Sequence, residues 1–416
     1  MASLDITPGR PLWMGGYAAR ARPSEGVALP LHAKALALRS GRRLGVLVTA
    51  DLLGLTAGVT GRVAARAQAR HGIERADILF NASHTHCGPI VERQLSVAYD
   101  LSPAQWEAIA EYTTTLEGKL SAVIDQAVSR LRPASVACGR GESRFARNRR
   151  LKFSPGGPVD HSVPVLRVDG EHGDPIAIVF GYACHNTTLP ATFVQYHGDY
   201  AGVAQAALEA RHRGAIALFV AGCGADANPD PRGTVELVQA HGTALADAVD
   251  GALAGARPVP AALTTAYTTV DLPFADGAER EKWRRQLTID GVYLERHAAV
   301  MAAIARRDGR LPAAQTAPLQ VWGLGTSIAF VALSGEVVVD YALCLAREFP
   351  HLGMWITGYS NDVFGYVPSL RVLREGGYEG GDAMIYYGRP APFTEAVEET
   401  IVQAVARLVE AVVTRR

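Results

Sequence analysis

Short apolar runs recur along the chain, at residues 44–50, 76–81, 176–183, 216–221, 327–333 and 354–357. Each is rich in Val, Ile, Leu, Ala or Phe and lacks clean alternation with polar residues, the pattern of strands buried on both faces. Between them lie segments of helical period and punctuation. Residues 57–71 stop at Gly72. Residues 102–131 open on Ser102-Pro103, a capping residue followed by Pro at the first helical position, and stop before Pro133. Residues 200–212 end near Gly214, and 234–254 end before Gly255. Residues 279–307 and 392–416 are helical by composition and period. Strand alternating with helix predicts an α/β fold, with mixed sheets and flanking helices.

The polar residues that follow the strands carry the chemistry. Run 76–81 leads into Asn81-Ala82-Ser83-His84-Thr85-His86-Cys87-Gly88-Pro89. In an extended chain residues i and i+2 share a face, so His84 and His86 are expected to serve one site. Run 176–183 leads to Cys184-His185-Asn186, run 216–221 to Gly222-Cys223-Gly224-Ala225-Asp226-Ala227-Asn228, and run 327–333 to Ser334-Gly335-Glu336. Run 44–50 ends at Asp51. Ligands of α/β sheets bind outside the carboxyl ends of strands, so these ends together predict one site. Two His and one Glu from separate strand ends, here His84, His185 and Glu336, form a common catalytic zinc set that leaves a position for water. Zinc lowers the pKa of that water to about 7. The competing account of each imidazole is a hydrogen-bonded structural histidine. There is no HExxH and the spacings are long, so this pattern leaves both accounts open.

Composition narrows the class. With 48% hydrophobic and 20% charged residues the chain is ordinary globular protein. Lys+Arg and Asp+Glu are both 41, giving no electrostatic footprint for nucleic acid or an anionic membrane. No run reaches the roughly 18 apolar residues of a membrane span, and the N-terminus lacks the pattern of a signal peptide. The 5 cysteines are scattered and without a CxxC pair. A reduced, cytoplasmic protein is expected. No repeat or clear linker appears, so residues 1–416 are expected to form a single catalytic unit; two lobes joined near 256–262 are the alternative. A homo-oligomer is left open.

Taken together the motifs resemble the neutral (non-lysosomal) ceramidases. Ser83-His84-Thr85-His86-Cys87-Gly88-Pro89 is similar to that family's His-Thr-His-Ser-Gly-Pro signature. Tyr182-Ala183-Cys184-His185 and Gly198-Asp199-Tyr200-Ala201-Gly202 resemble its second His segment and the turn after it. Gly335-Glu336, Gly358-Tyr359-Ser360-Asn361 with Gly365-Tyr366-Val367, and Gly377-Tyr378-Glu379-Gly380 with Tyr387-Gly388 follow in the family's order. The resemblance implies a ceramidase-like catalytic domain hydrolysing a C–N amide bond. It implies one zinc ion held by His84, His185, Glu336 and Tyr366, with His86 beside the zinc-bound water as general base and then acid. It also implies that Tyr378 faces the scissile carbonyl and that Arg149 contacts substrate. Each has a plainer alternative: a buried phenol for Tyr366, a surface charge for Arg149, turn or capping residues for Asp51 and Asp199, which could otherwise orient ligand imidazoles.

The departures bear on substrate. Asn228 stands where the family has Ser; it is expected either to bind substrate or to cap a helix. Cys87 replaces the Ser of the first motif and is expected to line the pocket. Arg371-Val372-Leu373-Arg374 replaces the family's Glu-Glu-Tyr-Gln. At this length the family's C-terminal β-sandwich is not expected in residues 1–416, and the interval from His185 to Glu336 is shortened. The expected substrate is therefore a small, soluble amide attacked by zinc hydroxide. The alternatives are a ceramidase-like N-acyl lipid amidase, a metal-dependent lyase or isomerase, and a non-catalytic binding protein on the same scaffold.

Overall fold

A computed structural model of the chain describes residues 1–260 and 262–413. Three main sheets organise it. Across the first run Ala2–Asp5, His32–Ser40, Arg43–Ala50 and Ile78–Ala82. Across the second run Ile216–Ala221, Pro175–Tyr182, Ser162–Gly170, Ala134–Glu142 and Arg257–Pro258. Across the third run Leu263–Pro273, Ala314–Leu324, Ile328–Leu333 and Gly353–Thr357. Each sheet contains one parallel pair: Arg43–Ala50 with Ile78–Ala82, Pro175–Tyr182 with Ile216–Ala221, and Ile328–Leu333 with Gly353–Thr357. Their other pairings are antiparallel.

The parallel strands lack alternation because both faces are buried. On Pro175–Tyr182, Ala177 and Val179 face a core common to all three sheets, whereas Ile178, Phe180 and Tyr182 face helices. Leu47 and Leu79 of the first sheet and Phe330 and Trp355 of the third enter that same common core. The opposite faces take their own helices. Ala57–His71 and Pro103–Ser129 cover the first sheet, Asp199–Arg211 and Val235–Ala254 the second, and Val397–Val413 the third. Ser102 caps its helix through a reciprocal pair of bonds with Gln105.

Two expectations change. The helix expected over 279–307 is two, Gly277–Gln286 and Gly291–Asp308; the Asp290 carboxylate accepts the Val292 N–H and starts the second afresh. The last helix begins at Val397, and residues 414–416 of the expected span lie outside the described residues. At the expected junction, Arg257–Pro258 closes the edge of the second sheet and Leu263 opens the third; Ala261 lies outside the described residues. Among the described residues no helix is long and apolar enough to cross a membrane.

The sheets meet at the carboxyl ends of their parallel strands. Isolated bridges join Asn81 to Ser360, Thr85 to Asn186 and Gly222 to Thr357. The buried Asn81 side chain touches all three sheets. Its Oδ1 accepts the Ala221 N–H at 2.9 Å, and its Nδ2 donates to the Gly358 carbonyl at 2.9 Å and to Ser360 Oγ at 3.1 Å.

Candidate metal centre

Each sheet delivers one group to the point where the three meet. From the first, the chain leaves Ile78–Ala82 and turns at His84, whose φ is +62°. That left-handed backbone is uncommon for a residue with a side chain and is held by a bond from the His84 N–H to the Leu52 carbonyl, 2.9 Å. The expectation of an extended His84–His86 segment is thereby corrected. The two rings still converge, with Nε2 atoms 3.2 Å apart. His185 follows Pro175–Tyr182 in the second sheet, and Glu336 follows Ile328–Leu333 in the third.

The hydrogen bonds assign the imidazole tautomers. His84 Nδ1 lies 2.6 Å from the Leu53 carbonyl, and His185 Nδ1 lies 2.9 Å from the Gly224 carbonyl. A carbonyl only accepts, so both Nδ1 atoms carry the proton and both Nε2 atoms present lone pairs in the neutral rings. Those Nε2 atoms each lie 3.1 Å from Glu336 Oε2. His185 Nε2 is also 3.2 Å from the Tyr366 hydroxyl. Burial opposes protonation of His185 and, with Arg149 nearby, outweighs Glu336, holding its pKa down to about 4. His86 is likewise held well below the ordinary histidine range by burial and the neighbouring imidazoles. Burial alone would raise the Glu336 pKa, but His84 and His185 outweigh it and keep the carboxyl ionised. Lone pairs of two nitrogens and a carboxylate oxygen thus face one point, an arrangement that a cation satisfies. The donor set of imidazole, carboxylate and phenol suits a first-row divalent ion. Nitrogens of His84, His86 and His185 also lie within 4.8 Å of one another, so His86 is close enough to share that ion.

Around these groups the other expected residues take defined places. Tyr366 pairs with Glu336 through a short parallel bridge, and its hydroxyl accepts from Arg149 Nη2 at 2.9 Å. Arg149 also donates to Glu379 at 2.7 Å and, over 3.4 Å, to Asn228 Oδ1, so its guanidinium is engaged by the protein. The Tyr378 ring packs 5.2 Å from that of Tyr366 and is 42% exposed. Its hydroxyl makes no hydrogen bond among the described residues. His86 is buried with its Nδ1 unpartnered among the described residues, and the Tyr17 ring packs edge-on against it at 4.7 Å. A Cβ at Gly16, where φ is +101°, would fall 2.3 Å from His86 Nδ1, so only glycine permits this packing.

Three residues lie elsewhere than the metal contacts. Cys87 is packed with Leu189, Val203 and Val238, and burial pushes its thiol up to about 12. Asp51 accepts from the His32 N–H and from Gln205, and Asp199 accepts from the Leu189 and Tyr200 N–H groups. Backbone carbonyls of Leu53 and Gly224, rather than these aspartates, orient the His84 and His185 imidazoles. Tyr387, whose hydroxyl donates to Glu336 Oε1, and Tyr359, whose ring lies 4.4 Å from that of His84, complete the surroundings. Both tyrosines fall inside motifs that carry the resemblance, which was their only signal in the sequence. The two carbonyls left none.

Comparison with known proteins agrees with this architecture. The family model for neutral/alkaline non-lysosomal ceramidase, N-terminal, matches residues 1–230. The crystal structure of neutral ceramidase from Pseudomonas aeruginosa superposes with a TM-score of 0.78 at 18% identity, over 100% of this chain and 74% of that one. A structure described as ceramidase complexed with C2 gives 0.77 at 16% identity, over 99% and 74%. No curated protein matches the sequence.

Proposed function

This chain belongs to the neutral/alkaline non-lysosomal ceramidase family, and on that premise we propose that it is a metal-dependent hydrolase cleaving the amide bond of a small, soluble substrate. The observation that carries this is the meeting of His84 Nε2, His185 Nε2 and Glu336 Oε2 within 3.1 Å contacts, with both imidazole protons committed to carbonyls on the far side. Zinc is the proposed ion, held by those three groups and the Tyr366 phenol; once bound it acidifies a water and polarises the scissile carbonyl. His86, held neutral by burial and with Nε2 turned toward the His84 nitrogen, takes the proton of the attacking water there and returns it to the departing amine nitrogen as the C–N bond breaks. Tyr378 donates its free hydroxyl to the carbonyl oxygen as charge builds there. Arg149 positions the Tyr366 phenol from below and carries Asn228 beside it. Cys87 contributes packing behind the first motif. All three sheets supply a group to this centre, which supports residues 1–416 as one catalytic unit. Five free thiols support a reducing, cytoplasmic location.

A second reading, an N-acyl lipid amidase, draws on the names of the ceramidase structures it resembles. A paired assay separates the two. The zinc-loaded protein is expected to hydrolyse short N-acetyl amides faster than a long-chain N-acyl sphingosine, and the opposite order would favour the lipid. The His84→Ala, His185→Ala double variant is expected to lose both bound zinc and turnover. Stoichiometric zinc in that variant would overturn the ligand set.

A further inference from the structure

Arg149 and Asn228, which adjoin the metal centre, also line a cavity of about 490 Å³. It opens over the antiparallel pair Ala146–Asn148 and Ala227–Pro229, in which Asn228 sits opposite Arg147. Its lining includes Arg147, Arg149, Arg232, His161, Asn228 and Asp230. Glu379 neutralises Arg149. Arg147 and Arg232 are both exposed; Asp230, 3.7 Å from Arg147 Nε, is the carboxylate set against them, and Arg232 makes no ion pair among the described residues. The rim therefore keeps an unbalanced positive charge.

Two further polar groups line the cavity. His161 Nδ1 is buried without a hydrogen-bond partner among the described residues. Asn228 uses its Oδ1 to accept from Arg149 and Thr187, which leaves Nδ2 free to donate.

We propose that this cavity is a subsite for a carboxylate of the substrate, held by Arg147 and Arg232 with the Asn228 amide, while the scissile amide lies past Arg149 at His86. The substrate class is then a small N-acyl amino acid. This deepens the amidase reading and rests on it. It also gives Asn228, which replaces a hydroxyl residue of related chains, a task that an amide nitrogen performs and that suits an acidic substrate. Charge-assisted bonds from paired guanidiniums are the strong way to hold a carboxylate.

The test compares N-acetylglycine with its neutral counterpart N-acetylglycinamide, using zinc-loaded protein. The acid is expected to show kcat/KM higher by about 10- to 100-fold, roughly what a single charge-assisted hydrogen bond contributes. In the Arg147→Gln, Arg232→Gln double variant that ratio should fall to near one through KM, with partial recovery in the double Lys variant. Equal kcat/KM for acid and amide in the wild type, or a ratio untouched by the double variant, would overturn the subsite. Calorimetric binding of succinate to the same proteins reads the subsite without turnover. Succinate binding that needs both arginines, in a protein that hydrolyses neither amide, would retain the subsite and reject the amidase reading.

Discussion

His84 and His185 each commit Nδ1 to a backbone carbonyl, and a carbonyl cannot be titrated or rotated away as a side-chain acceptor can. The orientation of both imidazoles is thus built into the main chain after two different strands. Glu336 is fixed by a side chain instead: Tyr387 donates to Oε1 and leaves Oε2 turned toward the two imidazoles. Partners behind a ligand typically contribute 10- to 100-fold to metal affinity. Tyr387→Phe keeps the ring and removes only that bond. It is expected to weaken zinc binding by roughly 10- to 100-fold with the fold intact, measured by competition against a chelator of known affinity. An affinity within about two-fold of the wild type would mean that Glu336 is oriented by its backbone alone.

At the scale of strands and sheets, the parts that were legible in the sequence are the three parallel pairs. Their residues are apolar on both faces because one face meets the common core and the other meets helices, and this gives unbroken runs. The antiparallel strands escaped notice for the converse reason. Leu263–Pro273, for instance, mixes threonines and a tyrosine along a half-exposed ribbon, and its pairing partner lies more than forty residues on. Local pattern also carried the strand-end positions of His84, His185 and Glu336, but not the left-handed turn at His84, since nothing in that residue's chemistry asks for positive φ. The joint between the sheets was invisible too. Asn81 reads as the polar end of an apolar run, yet it ties Ala221, Gly358 and Ser360 together. Asn81→Ala would leave the buried Ala221 N–H unpaired, costing roughly 1–3 kcal/mol, while the Gly358 carbonyl keeps its bond from Ser360 Oγ. Denaturant unfolding of the metal-free protein is expected to show that loss, and a change below about 0.5 kcal/mol would mean that the backbone bridges alone hold the sheets together.

For the whole molecule, the placement of the centre would couple metal binding to the arrangement of the three sheets. His84, His185 and Glu336 come from three separate hydrogen-bonded sheets, so an ion held by all of them would bond the sheets to one another alongside the isolated bridges and the Asn81 network. Without a cation, the ionised Glu336 and two buried lone-pair nitrogens meet without a shared proton, a cost that the folded state bears and the unfolded chain does not. Binding to the folded state alone stabilises by about 2.7 kcal/mol at a free ion concentration 100 times Kd. Per-residue unfolding entropies near 2.1 cal/mol/K put the total for 416 residues at roughly 0.9 kcal/mol/K, so that stabilisation raises Tm by about 3 °C. Scanning calorimetry of chelator-treated protein, repeated with zinc restored, is expected to show a reversible rise of about this size that grows with zinc concentration. The His185→Ala variant should show none of it. A Tm indifferent to zinc in the wild type would separate the junction of the sheets from metal binding and leave the Asn81 network as what closes it.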